Sequence, residues 1–203
     1  MTTDDTMVES AAETRMDGIL TAVREVFATK GFDKASMQDL ARAAGMSAGN
    51  FYRYFPSKDA IIECLVSRDM AEIEQYFLLI MRSEDPVESL RAALYEQIDE
   101  NDCEDCAIWV ETMASARRKA EIARLYSGLD HTITDYLVTV FARIAGIPKD
   151  EAQRRYAAHA QMIFILIQGI RLRRTEGDDF ASSPLRQLAR RTIDTILSEI
   201  SPA

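Results

Sequence analysis

The sequence predicts an all-α protein. An N-terminal three-helix unit with a helix-turn-helix is followed by a larger helical domain, about nine helices in all. Three observations carry the prediction. Glycine and proline are scarce, at 8 and 5 of 203 residues, while Ala, Leu, Ile, Glu and Arg, which favour helix or fill its apolar face, are plentiful. Apolar residues recur at three- and four-residue spacing from Thr14 almost to the end, and no persuasive strand interrupts them. Capping signals punctuate the pattern: Ser36, Ser47, Ser57, Asp85-Pro86 and Ser183-Pro184 each open a segment, and Gly31, Gly45 and Gly146 each follow one.

Residues 1–13 lack periodicity and are expected to form a disordered tail. The first helix starts at Thr14 and aligns Met16, Ile19, Leu20, Val23 and Phe27 on one face; Gly31 is its expected left-handed cap. Ser36-Met-Gln-Asp39 reads as a capping box for the second helix, which buries Leu40, Ala41 and Ala44 before Gly45 ends it. Ser47 caps a third helix that buries Phe51 and Phe55, and Pro56 breaks it. From Ser57 a long fourth helix carries Ile61, Ile62, Leu65, Val66, Ile73, Phe77 and Ile80, ending at Ser83-Glu-Asp85. The fifth starts with Asp85-Pro86-Val-Glu88 and runs to about Glu100, with a turn at Asn101-Asp102. The sixth holds Ile108, Trp109 and Met113. The seventh, from about Arg117, carries Ile122, Leu125, Leu129, Ile133, Leu137, Val140, Phe141 and Ile144. Gly146-Ile-Pro148 leads to the eighth, with the apolar stretch Met162–Ile167. A loop over 175–183 precedes the ninth, which carries Leu185, Leu188, Ile193, Ile196, Leu197 and Ile200.

Composition narrows the function. No apolar run reaches the length of about 18 residues that a membrane helix needs, and the acidic, polar start lacks the basic and apolar parts of a secretory signal. Three cysteines in a chain of this size do not make a disulfide framework, so a reducing cytoplasm is expected. Net charge is −9, which alone disfavours nucleic acid. Its distribution does not: residues 14–58 carry seven basic side chains against four acidic ones, net +3, while residues 1–13 carry −4 and residues 59–203 carry −8. Phosphate contacts answer to the field within a Debye length, about 8 Å at physiological salt. A basic head on an acidic body can therefore meet DNA in one orientation.

Residues 36–58 carry the strongest signal. Two short helices cross closely, so the crossing point takes only a small side chain, and Ala41 fits. The turn requires positive φ, and Gly45 fits. Leu40, Ala44, Met46 and Phe51 are spaced to fill a shared core. Such a unit sets its second helix into a major groove.

This head resembles the N-terminal domain of the TetR family of transcriptional regulators. The matching stretches are Phe27-Ala-x-Lys-Gly-Phe32, Ser36-Met-x-Asp-Leu-Ala41 and Ala44-Gly-Met-Ser-x-Gly-x-Phe-Tyr-x-Tyr-Phe-x-Ser-Lys58, over about 50 residues. The resemblance implies a dimer: helices one to three on a double-stranded DNA operator, helices five to seven around a pocket for a small-molecule effector of unknown identity, and helices eight and nine as the homodimer bundle. It places Gln38 at a base or phosphate and Ser47, Ala48, Gly49 and Asn50 at the exposed start of the recognition helix. Ala48 stands where many members of that family carry a long polar residue, though its methyl can meet a thymine methyl. Arg53 and Asn50 are the expected base readers; Tyr52, Tyr54 and Lys58 fix register on phosphate. Two-fold symmetry implies a palindromic operator with half-sites about 34–36 Å apart, or a multiple.

In the body, Trp109 falls at facing positions with Tyr95, Ile98, Met113 and Phe141, either as core or as the wall of an apolar ligand pocket. With Arg117 and Gln168 these are the candidate effector residues; Gln97, His131, His159 and Gln161 are further polar candidates. Cys103-Glu-Asp-Cys106 admits packing, redox sensing or metal binding. It has no second pair, and its acidic interior disfavours the thiolate, so neither a metal nor a cofactor is expected. Arg171-Leu-Arg-Arg174 reads as cations at a helix C-terminus. Helices eight and nine carry more apolar surface than one buried side needs, and Gly169 allows close approach, as an isologous dimer interface requires. No nucleophile–base pair, carboxylate pair or phosphate-binding glycine loop suggests an enzyme. The expected function is a ligand-responsive repressor; the alternatives are a helical protein-interaction module and a redox-responsive regulator acting through Cys103 and Cys106.

Overall fold

The computed structural model describes residues 3–99, 103–173 and 183–200. Among them it contains nine helices and no strand: α1 (Thr3–Lys34), α2 (Met37–Ala43), α3 (Ala48–Tyr54), α4 (Lys58–Arg82), α5 (Pro86–Asp99), α6 (Cys103–Ala116), α7 (Ala120–Ala145), α8 (Lys149–Arg173) and α9 (Pro184–Glu199). The expected caps are present. Ser36, Ser47, Ser57 and Ser183 each accept a backbone N–H of the following first turn, and Asp85 accepts the Glu88 N–H at 3.0 Å. Gly146 closes α7 with φ 68. The expected loop over 175–183 and the turn at Asn101-Asp102 lie outside the described residues, save Ser183.

Two boundaries differ from expectation. α1 begins at Thr3 rather than Thr14. Glu9-Ser-Ala-Ala-Glu13 is rich in helix formers, so the helical pattern continues upstream of Thr14. Gly31 interrupts α1 with φ 74 and ψ 162, and one more helical turn follows. This is a glycine-only conformation, more extended than the left-handed cap expected.

Two apolar cores form. The N-terminal one gathers Val23 and Phe27 of α1, Leu40 and Ala41 of α2, and Phe51 and Phe55 around α3. It does not stop at residue 58: Ile61, Ile62 and Leu65 of α4 belong to it, as do Ile108 of α6 and Ile122 of α7. Burial of each such large side chain contributes about 1.5–3 kcal/mol. The C-terminal core joins Leu90, Leu94 and Ile98 of α5 to Leu137 and Phe141 of α7, Ile163 of α8, and Ile193 and Leu197 of α9.

Polar ties fix the helices around these cores. Arg118 reaches Asp33 at 3.0 Å and Lys119 reaches Asp59 at 2.8 Å, linking the α6–α7 corner to the ends of α1 and α4. Exposed pairs like these contribute about 0–1 kcal/mol each, so they orient more than they stabilise. Arg143 of α7 donates to the carbonyls of Ile80 and Ser83 and thereby caps α4. On the far side of α5, Asp99 pairs with Arg186 and Arg190, and Asp194 accepts from Arg91 at 3.1 Å and from the Tyr95 hydroxyl at 2.7 Å. The Arg186 guanidinium holds the Asp99 carboxyl below its ordinary range. No helix among the described residues is long and apolar enough to cross a membrane.

Candidate nucleic-acid interface and internal cavity

The turn between α2 and α3 is built by three local interactions. Ser36 and Asp39 form a reciprocal capping box: the Asp39 N–H donates to Ser36 Oγ at 3.1 Å, and the Ser36 N–H donates to Asp39 Oδ2 at 3.1 Å. The Ser36 hydroxyl and Lys30, 3.0 Å away, hold the Asp39 carboxyl far below the usual carboxylate range. At the other end of α2, Met46 N–H donates to Ala41 O at 2.9 Å and Gly45 N–H to Arg42 O at 3.1 Å, with Gly45 at φ 64. That pair of bonds is a Schellman ending. Ala41, 2% exposed, sits at the crossing, and the Ser47 hydroxyl accepts the Asn50 N–H at 3.4 Å to start α3.

The same helix then divides its aromatics. Phe51 and Phe55 are buried with ring centroids 5.2 Å apart, whereas Tyr52 and Tyr54 are 49% and 42% exposed. Arg53, Ala48, Gly49, Ser47 and, on α2, Gln38 are exposed too; Asn50 is half-buried. Ala48 with Tyr52, and Gly49 with Arg53, are four residues apart and line up along α3. The expected DNA readers therefore share one short helix and its approach. Lys58 is placed differently from a free phosphate ligand. Its Nζ donates to Phe32 O at 2.6 Å and Asp33 O at 3.0 Å, which caps the end of α1. An ammonium has three donors, so one remains for phosphate.

The body holds two adjoining, partly open chambers. The first, of ≈ 120 Å³, is bounded by α4, α5, α6, α7 and α8 and is lined mainly by apolar side chains. The second, of ≈ 160 Å³, shares Ile73, Tyr76, Gln97, Trp109 and Arg171 with it and extends to Arg24 and Phe32 of α1 and to Leu65 and Asp69 of α4. Arg24 and Asp69 form an ion pair there.

Of the expected effector residues, Trp109 and Gln168 line this cavity; the other five do not, for identifiable reasons. Tyr95 turns to α9, where it bonds Asp194 and lies 4.4 Å beneath the Arg190 guanidinium; burial, then Asp194, pushes its phenol up. Ile98 and Phe141 are consumed by the C-terminal core. Met113 is half-buried away from both chambers, and Arg117 is exposed at the end of α6. Gln97, named as a polar candidate, is in the wall. His131 is exposed, and His159 contacts Glu199 at 2.9 Å; neither lines a chamber, nor does Gln161. The side chains of Cys103 and Cys106 lie outside the described residues. Among the described residues no group of His, Cys, Asp and Glu is arranged to hold a metal.

Sequence reasoning missed Phe164, Tyr126 and the inward turn of Arg171. Phe164, Gln168 and Arg171 are spaced four and three apart, so one helical face carries all three, and that spacing was the available signal. The Arg171 guanidinium lies 5.9 Å from the Trp109 ring centre and donates to Gln97 Oε1. Trp109 also meets Phe164 edge-on at 6.5 Å and Tyr126 at 5.7 Å, and the Tyr126 hydroxyl donates to Gln168 Oε1.

A capped helix pair with an exposed reading edge, carried on a hollow helical body, defines a helix-turn-helix DNA-binding regulator. Residues 19–65 match the family of bacterial regulatory proteins described as the tetR family, and residues 86–198 match the C-terminal domain of BetI-type transcriptional repressors. The chain is 30% identical to the HTH-type transcriptional regulator UidR of Escherichia coli strain K12 over 137 residues, covering 66% of this chain and 67% of that one. Among solved structures, Salmonella enterica GusR superposes with a TM-score of 0.71 at 25% identity, over 92% of this chain and 96% of that one. AibR, solved in complex with isovaleryl coenzyme A and operator DNA, shares the fold at 17% identity with a TM-score of 0.63, over 89% of this chain and 97% of that one. The chain belongs to the TetR family of transcriptional regulators. Its relatives are regulators rather than enzymes.

Proposed function

We propose that this chain works as a homodimeric repressor that places α3 of each subunit in successive major grooves of a two-fold symmetric operator and lets go when a small molecule fills the cavity. The observation that carries the reading is the division of α3: two aromatics locked in the core, and Tyr52, Arg53 and Tyr54 left exposed on a helix whose start and turn are rigidly capped. Asn50 and Arg53 read base edges. Gln38, Ser47, Tyr52, Tyr54 and the remaining donor of Lys58 hold phosphates and set register, and Ala48 and Gly49 let the backbone approach. Such work places the protein in the cytoplasm with the DNA.

Dimerisation through α8 and α9 is supported by their outward faces. Met162, Ile165 and Leu172 of α8 and Leu185 and Leu188 of α9 are large apolar side chains between 37% and 62% exposed. Gly169 lies on the same exposed stretch, with open space where a Cβ would stand. Apolar area of that kind marks an association surface.

The second chamber supports a route for release. Its wall includes α1 and α4 side chains that also belong to the head, so a bound molecule can favour one head spacing over another through its differential affinity for the two states. AibR, with its acyl coenzyme A and operator, shows a member of this fold that binds both kinds of partner. Selection of bound sequences from random DNA tests the reading. Two inverted half-sites are expected, with binding weakened in Tyr52→Ala and Lys58→Ala. Selection of no sequence, or of a single unrepeated site, would refute it.

A further inference from the structure

The geometry points to an amphiphilic anion as the effector, with an apolar body in the first chamber and a carboxylate-like head against Trp109, Gln168 and Arg171; this rests on the cavity being the effector site proposed above. Three polar side chains of the wall, Trp109, Gln168 and Arg171, offer donors. Trp109 Nε1–H is buried and meets no acceptor among the described residues. Gln168 has its carbonyl oxygen occupied by the Tyr126 hydroxyl, which leaves its NH2 as the polar function on offer. Arg171 brings a full positive charge to the same stretch, over the Trp109 ring. A buried donor without a partner is costly, and an incoming acceptor removes that cost. An ionised acceptor does so best, because charge-assisted bonds are roughly twice as strong as neutral ones.

The opposite charge is poorly served. Glu96 and Glu72, which also border the chambers, are exposed, and Asp69 is paired with Arg24. The face of Trp109, where a ligand cation would otherwise rest, already carries the Arg171 guanidinium. Most of the rest of the first chamber is hydrocarbon: Ile73, Phe77, Leu94, Leu137, Ile163 and Ile167 are typical of it. That demands an apolar body behind the head.

Trp109 is the single tryptophan of the chain, so its fluorescence reports on this wall alone. The full-length protein is titrated with hexanoate, decanoate and 4-phenylbutyrate, and with the alcohol and the trimethylammonium compound matched to each. At least one carboxylate is expected to perturb Trp109 and to bind about tenfold or more tightly than its alcohol, with the ammonium compound weakest. Arg171→Gln weakens that carboxylate about ten- to hundredfold, the usual loss of a bond to a charged group, and leaves the alcohol within about twofold; Arg171→Lys, read in parallel, keeps most of the preference. Trp109→Phe, followed by calorimetry, also weakens the carboxylate.

Equal binding of carboxylate and alcohol, preference for the ammonium compound, or no binding in any series overturns the anion inference. The underlying site reading is tested separately by Ala93→Phe, which fills the first chamber: binding of any probe that survives this variant unchanged lies elsewhere and removes the cavity as the effector site.

Discussion

Gly45 is the sharpest place to test the physics of the head. Replacing it with alanine asks one question, because a Cβ built there meets no atom within 4 Å. No clash arises, so the cost is conformational. The residue must keep φ at +64, and the left-handed region costs an alanine about 1–2 kcal/mol. Alanine also narrows the unfolded ensemble, which returns about 0.4–1 kcal/mol. The net loss is about 1 kcal/mol, or about 2–4 °C in Tm for a chain of this size. Gly45→Asn should lose about half as much, since asparagine enters the left-handed region more readily. Thermal unfolding at fixed protein concentration, needed because association shifts Tm, reads both variants beside the parent. An alanine loss above about 3 kcal/mol would mean that the site is crowded. Equal losses for alanine and asparagine would mean that φ is not the issue. Either result refutes the argument.

The capping box predicts a pH effect. The Asp39 carboxyl is held below its ordinary range by the Ser36 hydroxyl first and Lys30 second, so its contribution is complete above the unfolded pKa, near 3.9, and fades as pH falls through and below it. Acid titration of stability should show that component in the parent and not in Asp39→Asn. At the proposed dimer face, Ile165→Glu combined with Leu188→Glu should give a monomer by sedimentation while helical content persists, because both side chains are more than half exposed in the single chain; a dimer that survives would move the interface elsewhere. Lys58→Ala should do two things: destabilise the protein by about 1–2 kcal/mol through the lost cap on α1, and lower the salt slope of DNA binding by about 1 if its third donor meets phosphate. A changed slope with unchanged stability would contradict the carbonyl contacts.

The head was legible because its determinants are local. Ser36 and Asp39, Gly45 and Met46, Ser47 and Asn50 all lie within a few residues of each other, and helical spacing alone separates Phe51 and Phe55 from Tyr52 and Tyr54. The cavity was half legible. Trp109 and Gln168 line it, but α5 and α7 are apolar on more than one side. Whether Tyr95 faces a chamber or α9 depends on Arg190 and Asp194, about a hundred residues away in sequence. For Ile98 and Phe141 the sequence leaves core and wall equally open, because a core residue and a pocket residue have the same chemistry; packing puts both in the core. Its place in the chain makes Arg171 a helix-end cation; only its neighbours across the fold turn it inward.

The presence of Ile108 and Ile122 in the head's core bears on how such regulators can be recombined. A graft that transplants only the first 58 residues onto another member's body would complete the core of Phe27, Leu40 and Phe51 with foreign side chains in place of Ile61, Ile62, Leu65, Ile108 and Ile122. A chimera that keeps its operator preference should therefore carry the start of α4, α6 with Ile108 and the first turn of α7 with Ile122 along with the donor head, as one inseparable cassette.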